Sequence, residues 1–375
     1  MRCRWGQGIV GLLVLGMSLV FVPAAPGGAA TGRLVVTTTR LPLLEPSGPE
    51  AYGQAVAIND RGEIVGSSGR WPTLWRRGRV VPLTAEMPAF GGWGAVINAR
   101  CEVIVHRAGL PLSRWFRGRL TELDLGPGSQ RWSLVAFNDR GQALIESGGS
   151  PGVATGLWEP DGSFTPLVPP EGYLAFPADL SDAGHVAGYL TPIDAAGQPG
   201  YRPYVWKDGR LTVLGDLGVA RAVNRRGQVA GIVPDSDHPL GVAVVWDHGE
   251  ETRLVPDTFP ASFAADINER GQVIGRLGDG PNQAQGFLWD DGELTEIPAP
   301  DAPIVSPERV NERGQVVGTY TPGGSEFHAF VWDRGEMADL GPSYGIHAIN
   351  DRGQAVGSVR GAAGAQPVLW EIAHR

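Results

Sequence analysis

The chain has 375 residues, is 42% apolar, carries a formal charge of −9 and contains 55 Gly and 31 Pro. An acidic chain lacks the basic surface that nucleic acid requires, so no nucleic-acid partner is expected. Its length alone suggests two domains of roughly 150 residues each. The glycines and prolines recur at intervals, however, and a repeat array that shares one core overrides that prior.

Residues 1–30 read as a secretory signal peptide. Arg2 and Arg4 precede an apolar run from Ile9 to Val22, which is shorter than the roughly 20 residues of an ordinary membrane span. Gly28 and Ala30 suit the −3 and −1 positions of a cleavage site, so cleavage is expected after Ala30. It takes the formal charge to −11 and leaves no transmembrane span in the mature chain, residues 31–375. The expected location is secreted, or extracellular. Cys101 is then a lone thiol, and stability must come from packing rather than from a disulfide.

Eight repeats align on a turn whose leading residues are Asn59, Asn98, Asn138, Ser181, Asn224, Asn268, Asn311 and Asn350, spaced by 39 to 44 residues. The repeat from Val310 to Gly341 shows the pattern best. Asn311-Glu312-Arg313-Gly314 joins two short β-branched runs, and Trp332-Asp333-Arg334-Gly335 joins two more. Asn at the first turn position can bond the backbone two residues on, and Gly at the fourth supplies the positive φ that closes a hairpin. Cys101 replaces that Gly in repeat two, and its turn is expected to have adapted. A second Gly closes the following strand in six repeats, with Val105 and Ile145 at that place in repeats two and three. A Trp ends each third strand: Trp75, Trp115, Trp158, Trp206, Trp246, Trp289, Trp332 and Trp370. Such residues are expected to pack between repeats rather than to bind ligand.

Each repeat therefore predicts four short strands. The last stops after Trp370 without its fourth strand, while residues 33–37 form a spare one at the start of the mature chain. The expected fold is all-β: one β-propeller domain of eight four-stranded blades, its ring closed by the N-terminal strand pairing with the C-terminal blade.

Ile349-Asn350-Asp351-Arg352-Gly353-Gln354-Ala355-Val356-Gly357, His328-Ala329-Phe330-Val331-Trp332 and Asp339-Leu340-Gly341 carry a resemblance. Over residues from about 33 to 370 the chain resembles the HAF family of probable extracellular repeat proteins, named for the tripeptide at 328–330. The resemblance implies repeat fold and extracellular location, and it implies no activity.

Motifs of chemistry are sparse. There is no G-x-S-x-G elbow, phosphate loop or dinucleotide fingerprint, and no zinc or calcium spacing, so neither cofactor nor metal is expected. Asp235, Asp237 and His238 share one loop and read as solvated. The strand before each Asn turn is expected to line the axis. Most of its residues two and three places before the Asn are small, but Asp179, Arg221, Asp266, Glu308, Arg309 and His347 are not. These six form the predicted ligand site, together with the long Pro-rich loops of repeats four and five (191–200 and 234–239). The functional expectation is a secreted, non-enzymatic, monomeric binding or interaction protein whose extracellular ligand is a glycan or a protein. The alternative is a hydrolase or lyase acting on polysaccharide or glycoconjugate, whose mark would be two facing carboxylates about 5–10 Å apart.

Overall fold

A computed structural model describes residues 33–375 apart from 46–47, 49–50, 85–91, 108–109, 127–131, 148–153, 194–199, 281–282, 300–301, 324–325 and 363. The expected signal peptide at 1–30 lies outside the described residues. So do the side chain of Trp93 and much of the loop of repeat four.

The described residues form strands and no helix. Six antiparallel sheets have four strands each, in sequence order, and one sheet has seven. Repeat one is typical: Gly53–Ile58, Ile64–Ser68, Trp71–Arg76 and Arg79–Pro82. The seven-stranded sheet departs from the expected set of separate four-stranded units. Its cause is one 14-residue strand, Glu336–Ile349. That strand pairs through residues 336–342 with the third strand of repeat seven and through residues 343–349 with the second strand of repeat eight. No loop separates the two repeats, so their sheets are continuous. The spare N-terminal strand, Leu34–Arg40, completes the same sheet by pairing antiparallel with Ala365–His374, with Thr38 opposite Trp370.

The two hairpins of a repeat differ in construction. At the Asn turn, Gly62 N–H donates to the Asn59 carbonyl at 2.9 Å, and Gly62 has a φ of 75°. This is a three-residue hairpin loop with Gly in the left-handed region. The second hairpin has two left-handed residues in six repeats, as in Arg334 (φ 51°) and Gly335 (φ 89°), which is a type I′ turn, whereas in repeat three Gly162 N–H donates to the Glu159 carbonyl and the loop has three residues. Cys101 corrects an expectation. Its turn has not adapted, because the residue is buried with a φ of 62°, in the same region as the glycines. Burial and the nearby Glu63 raise the thiol to about 11, so it stays protonated.

Seven of the eight first strands carry a β-bulge close to the Asn turn, for example between Ala220 and Ala222 in repeat five, and in repeat two the shift lies further back, between Gly92 and Ala95. The extra residue breaks the strict alternation of faces, so the residues two and three before the Asn need not point to opposite sides. It also explains the second Gly of the repeat. A Cβ on Gly66 would lie 1.9 Å from the Gln54 carbonyl oxygen, and one on Gly318 would lie 2.1 Å from that of Ser306.

The core is not inside any one sheet but between consecutive ones. Ala222, Val245 and Leu254 of repeat five pack with Ala264, Ile267 and Phe287 of repeat six. Ala55, Ile58 and Trp75 of repeat one pack with Val356 of repeat eight. Seven of the eight patterned Trp residues are buried, and Trp289 is half-buried. A buried Trp removes about 150–250 Å² from water, worth roughly 4–6 kcal/mol as an upper bound.

In every sheet the Asn turn and the I′ turn leave from one edge. The loops between second and third strands, and those between repeats, leave from the other. These are called the turn edge and the loop edge below.

Candidate functional site

The turn edge is built from one relay repeated along the chain. Asn311 Oδ1 accepts the N–H groups of Arg313 and Gln315, each at 3.0 Å. Its Nδ2 donates to Gln315 Oε1 at 2.8 Å and to the carbonyl of Asn350, in the next repeat, at 2.9 Å. Gln315 Nε2 then donates to Asp333 Oδ2, beside the Trp, at 2.7 Å. The relay therefore ties a repeat to itself and to its neighbour. Asn350 Nδ2 in turn donates to the Asn59 carbonyl at 2.9 Å. Repeats one and two swap the charges: Glu63 and Glu102 replace Gln and pair with Arg76 and Arg114.

The residue after the Asn faces a cavity of about 490 Å³ lined by side chains of all eight repeats. Six of these residues are acidic: Asp60, Asp139, Asp182, Glu269, Glu312 and Asp351. Each accepts a backbone N–H from the preceding repeat, as Glu312 does from Glu269 at 2.8 Å and Asp60 from Asp351 at 2.9 Å. Arg225 balances part of this charge through Nη2 to Asp182 at 2.7 Å. Burial pushes the carboxyls of Asp139, Glu269 and Glu312 above their ordinary range. Sequence reasoning passed over these residues because it weighed them only as calcium ligands. Among the described residues no three His, Cys, Asp or Glu side chains are placed to hold a metal ion.

The six predicted site residues separate into two places. Asp179, Asp266, Glu308 and His347 all lie within reach of the charge of Arg309. Both carboxylates are occupied. Asp179 accepts from Leu180 and, across to repeat five, from Val223 N–H at 2.9 Å. Asp266 accepts from Ile267 and, across to repeat seven, from Val310 N–H at 3.1 Å. The Asp179 bond stands where Ser181 replaces Asn and cannot donate across the junction. Burial raises the Asp179 carboxyl and holds that of Asp266 at about 6. Burial likewise raises Glu308 and lowers His347. Arg221 lies apart and faces the loop edge.

There, residues of repeats four, five and six line a cavity of about 520 Å³. Its wall is mostly apolar, with Tyr201, Leu217, Leu240 and Phe263 around Arg221. The loop 234–239 holds its shape through Asp235, whose carboxylate accepts from His238 N–H at 2.7 Å and pairs with Arg253. The Arg253 guanidinium draws the Asp235 carboxyl well below its usual range. Asp235 and the buried His238 thus form a loop brace rather than the solvated group expected, while Asp237 is exposed. In the tripeptide at 328–330, Ala329 and Phe330 are buried, and His328 Nδ1 pairs with Asp339 at 3.0 Å.

Comparison with solved structures shows the architecture. Dipeptidyl peptidase 4 of Porphyromonas gingivalis has a TM-score of 0.58 at 9% identity, over 85% of this chain and 58% of that one. A structure from a study of two prolyl endopeptidases has a TM-score of 0.57 at 12% identity, over 86% and 55%. The β-propeller domain of the Trilobed protease of Pyrococcus furiosus has a TM-score of 0.51 at 12% identity, over 77% and 97%. The fold is a β-propeller. At these identities the likeness extends to the fold alone, and the propeller spans little more than half the length of the two peptidases. No family model and no curated protein matches the sequence.

Proposed function

We propose that the chain is a secreted, non-enzymatic and monomeric binding protein of the HAF repeat type. It is read as a closed eight-bladed propeller that takes its ligand at the loop edge. One observation carries the functional reading. Among the described residues the exposed large apolar side chains are Leu110, Val168, Ile193, Tyr201, Val213, Leu217, Leu240, Phe327 and Tyr344. Eight of them stand in loops or strand ends of the loop edge, and Tyr344 stands where the strand Glu336–Ile349 crosses between repeats. The turn edge exposes charge instead. Apolar exposure collected on one side marks an interaction surface rather than the scatter normal for a soluble protein.

Three observations support the closed ring. The strand Leu34–Arg40 pairs with the last strand, the Asn relay returns from Asn350 to Asn59, and a core cluster joins repeats eight and one. In this reading the seven-stranded sheet is two blades joined by Glu336–Ile349. Val35→Pro tests it by removing the N–H that faces Ala373 in the closing pair. A single cooperative transition at a lowered Tm is expected, whereas fraying of repeat eight alone by hydrogen exchange would overturn closure.

Binding is tested on the mature chain with a panel of oligosaccharides and capped peptides. At least one panel member should bind and weaken tenfold or more in the Leu217→Ser/Leu240→Ser variant, with no change in Arg352→Ser. Turnover of a panel member, or binding indifferent to the two leucines, would refute the reading. The mass of the chain recovered from culture medium tests cleavage after Ala30, and its sedimentation tests the monomer.

A further inference from the structure

We infer that the loop-edge cavity of repeat five is a receptor for an apolar group bearing a carboxylate, with Arg221 as the anion-binding side chain. The inference rests on the proposed loop-edge reading and gives it a ligand chemistry. Arg221 is the bulge residue of the strand Val219–Val223, flanked by the buried Ala220 and Ala222. The bulge aims its guanidinium out of the sheet and into the cavity. Among the described residues it makes no hydrogen bond and no ion pair. The other ionised group of the wall, Asp235, is already committed to Arg253 and to the N–H groups of Asp237 and His238. One uncompensated positive charge is therefore set in an otherwise acidic protein.

The surroundings define the rest of the ligand. Tyr201 is 39% exposed, Leu217 42% and Leu240 53%. Phe263 adds a ring from repeat six, with the Arg276 guanidinium 5.7 Å from its centroid. A cavity of about 520 Å³ is of the size that takes a small ligand rather than a single ion. An apolar body seated on Leu217, Leu240 and Tyr201 would displace water from around Arg221. The attraction to a carboxylate then rises as the local dielectric falls, and the planar guanidinium can grip both oxygens. A sugar would instead need several hydrogen-bonding groups, which this wall does not offer. The shared chemistry is found in a free aromatic or aliphatic acid and at a peptide C-terminus that ends in an apolar residue.

Calorimetry on the mature chain tests this with N-acetylphenylalanine, its amide, the tripeptide Ala-Ala-Phe and its C-terminal amide. Each acid should bind at least tenfold more tightly than its amide. Arg221→Gln should abolish that difference and leave the amides unchanged, and Arg221→Lys should restore part of it. Thermal melts of each variant should match the parent, since Arg221 makes no bond within the fold. A tripeptide acid tighter than N-acetylphenylalanine identifies a peptide terminus, and equal affinities identify a free acid. Leu217→Ser/Leu240→Ser should weaken acids and amides together. If acid and amide bind alike, if neither binds, or if Arg221→Gln keeps the difference, the carboxylate inference falls. The loop-edge reading survives that result if the leucine pair still governs binding of a panel member, and falls if it does not.

Discussion

The two edges of the sheets solve opposite problems with the same backbone. At the turn edge the Asn relay is closely bonded: the Asn311 side chain makes four hydrogen bonds, and the acidic residues beside the Asn positions each take an N–H from the preceding repeat. At the loop edge an exposed guanidinium and exposed Leu and Tyr side chains face solvent without such bonds. A polar network that is fully satisfied is a structural element, whereas apolar surface and charge left uncompensated are available to a ligand. Acidic clusters attract attention in a sequence, yet here the denser cluster is the one already occupied.

The largest expected effect breaks the turn edge. Asn311→Ala leaves the N–H groups of Arg313 and Gln315 without their acceptor and removes the bond across to the Asn350 carbonyl. It should cost about 3 kcal/mol or more in chemical denaturation. A loss within 0.5 kcal/mol would mean that the relay is not a stabilising element. Next comes Gly314→Val, which forces a β-branched residue to a φ of 78° with its Cβ 3.2 Å from Gln272 Oε1. The expected cost is about 2 kcal/mol. Cys101→Val should lose a similar amount, since Cys101 already sits in the left-handed region; a harmless Cys101→Val would show that this turn differs from the others.

Asp266 sharpens the comparison through pH. Its folded carboxyl titrates at about 6, above the ordinary value near 3.9, so the native state favours the protonated form. The corresponding stability is present below about pH 4 and is lost as pH rises through 6. Asp266→Asn removes that titration. Its stability relative to the parent should therefore rise by about 2 kcal/mol between pH 4 and pH 8. A relative stability that is flat with pH would place the titration elsewhere. The smallest effect belongs to the loop edge: Leu240→Ser should change stability by less than about 0.5 kcal/mol. A larger loss in Tm would make Leu240 part of the core.

Much of the architecture was legible because a repeat prints its own rules eight times. The Asn, Gly and Trp positions each recur, and each has a backbone or packing reason. The relay from Asn through Gln to Asp was equally printed, in Gln142, Gln228, Gln272, Gln315 and Gln354, and went unread because exposed-looking Gln residues suggest nothing alone. The Glu63–Arg76 pair is the telling case, since a charge-swapped repeat reveals a contact that the uniform repeats conceal. The continuous strand Glu336–Ile349 was not legible. Gly341 and Pro342 look like a break, and Gly341 does take a φ of 83°, but the strand runs on because pairing passes directly from His328 opposite Pro342 to Val359 opposite Ser343. Nor was the site. Position along the strand placed Arg221 with Asp179 and Asp266, whereas the bulge and the loop of repeat five decide which way each side chain goes.

The strand Leu34–Arg40 has a consequence for the order of synthesis. It emerges about 330 residues before its partner, Ala365–His374. At about 5–20 residues per second, some 330 residues of translation separate them by roughly half a minute. Throughout that time Leu34 and Val36 have no neighbour to cover them, and an unpaired strand edge invites pairing with another chain. The alternating Arg40 and threonines 37–39 keep that edge polar while it waits.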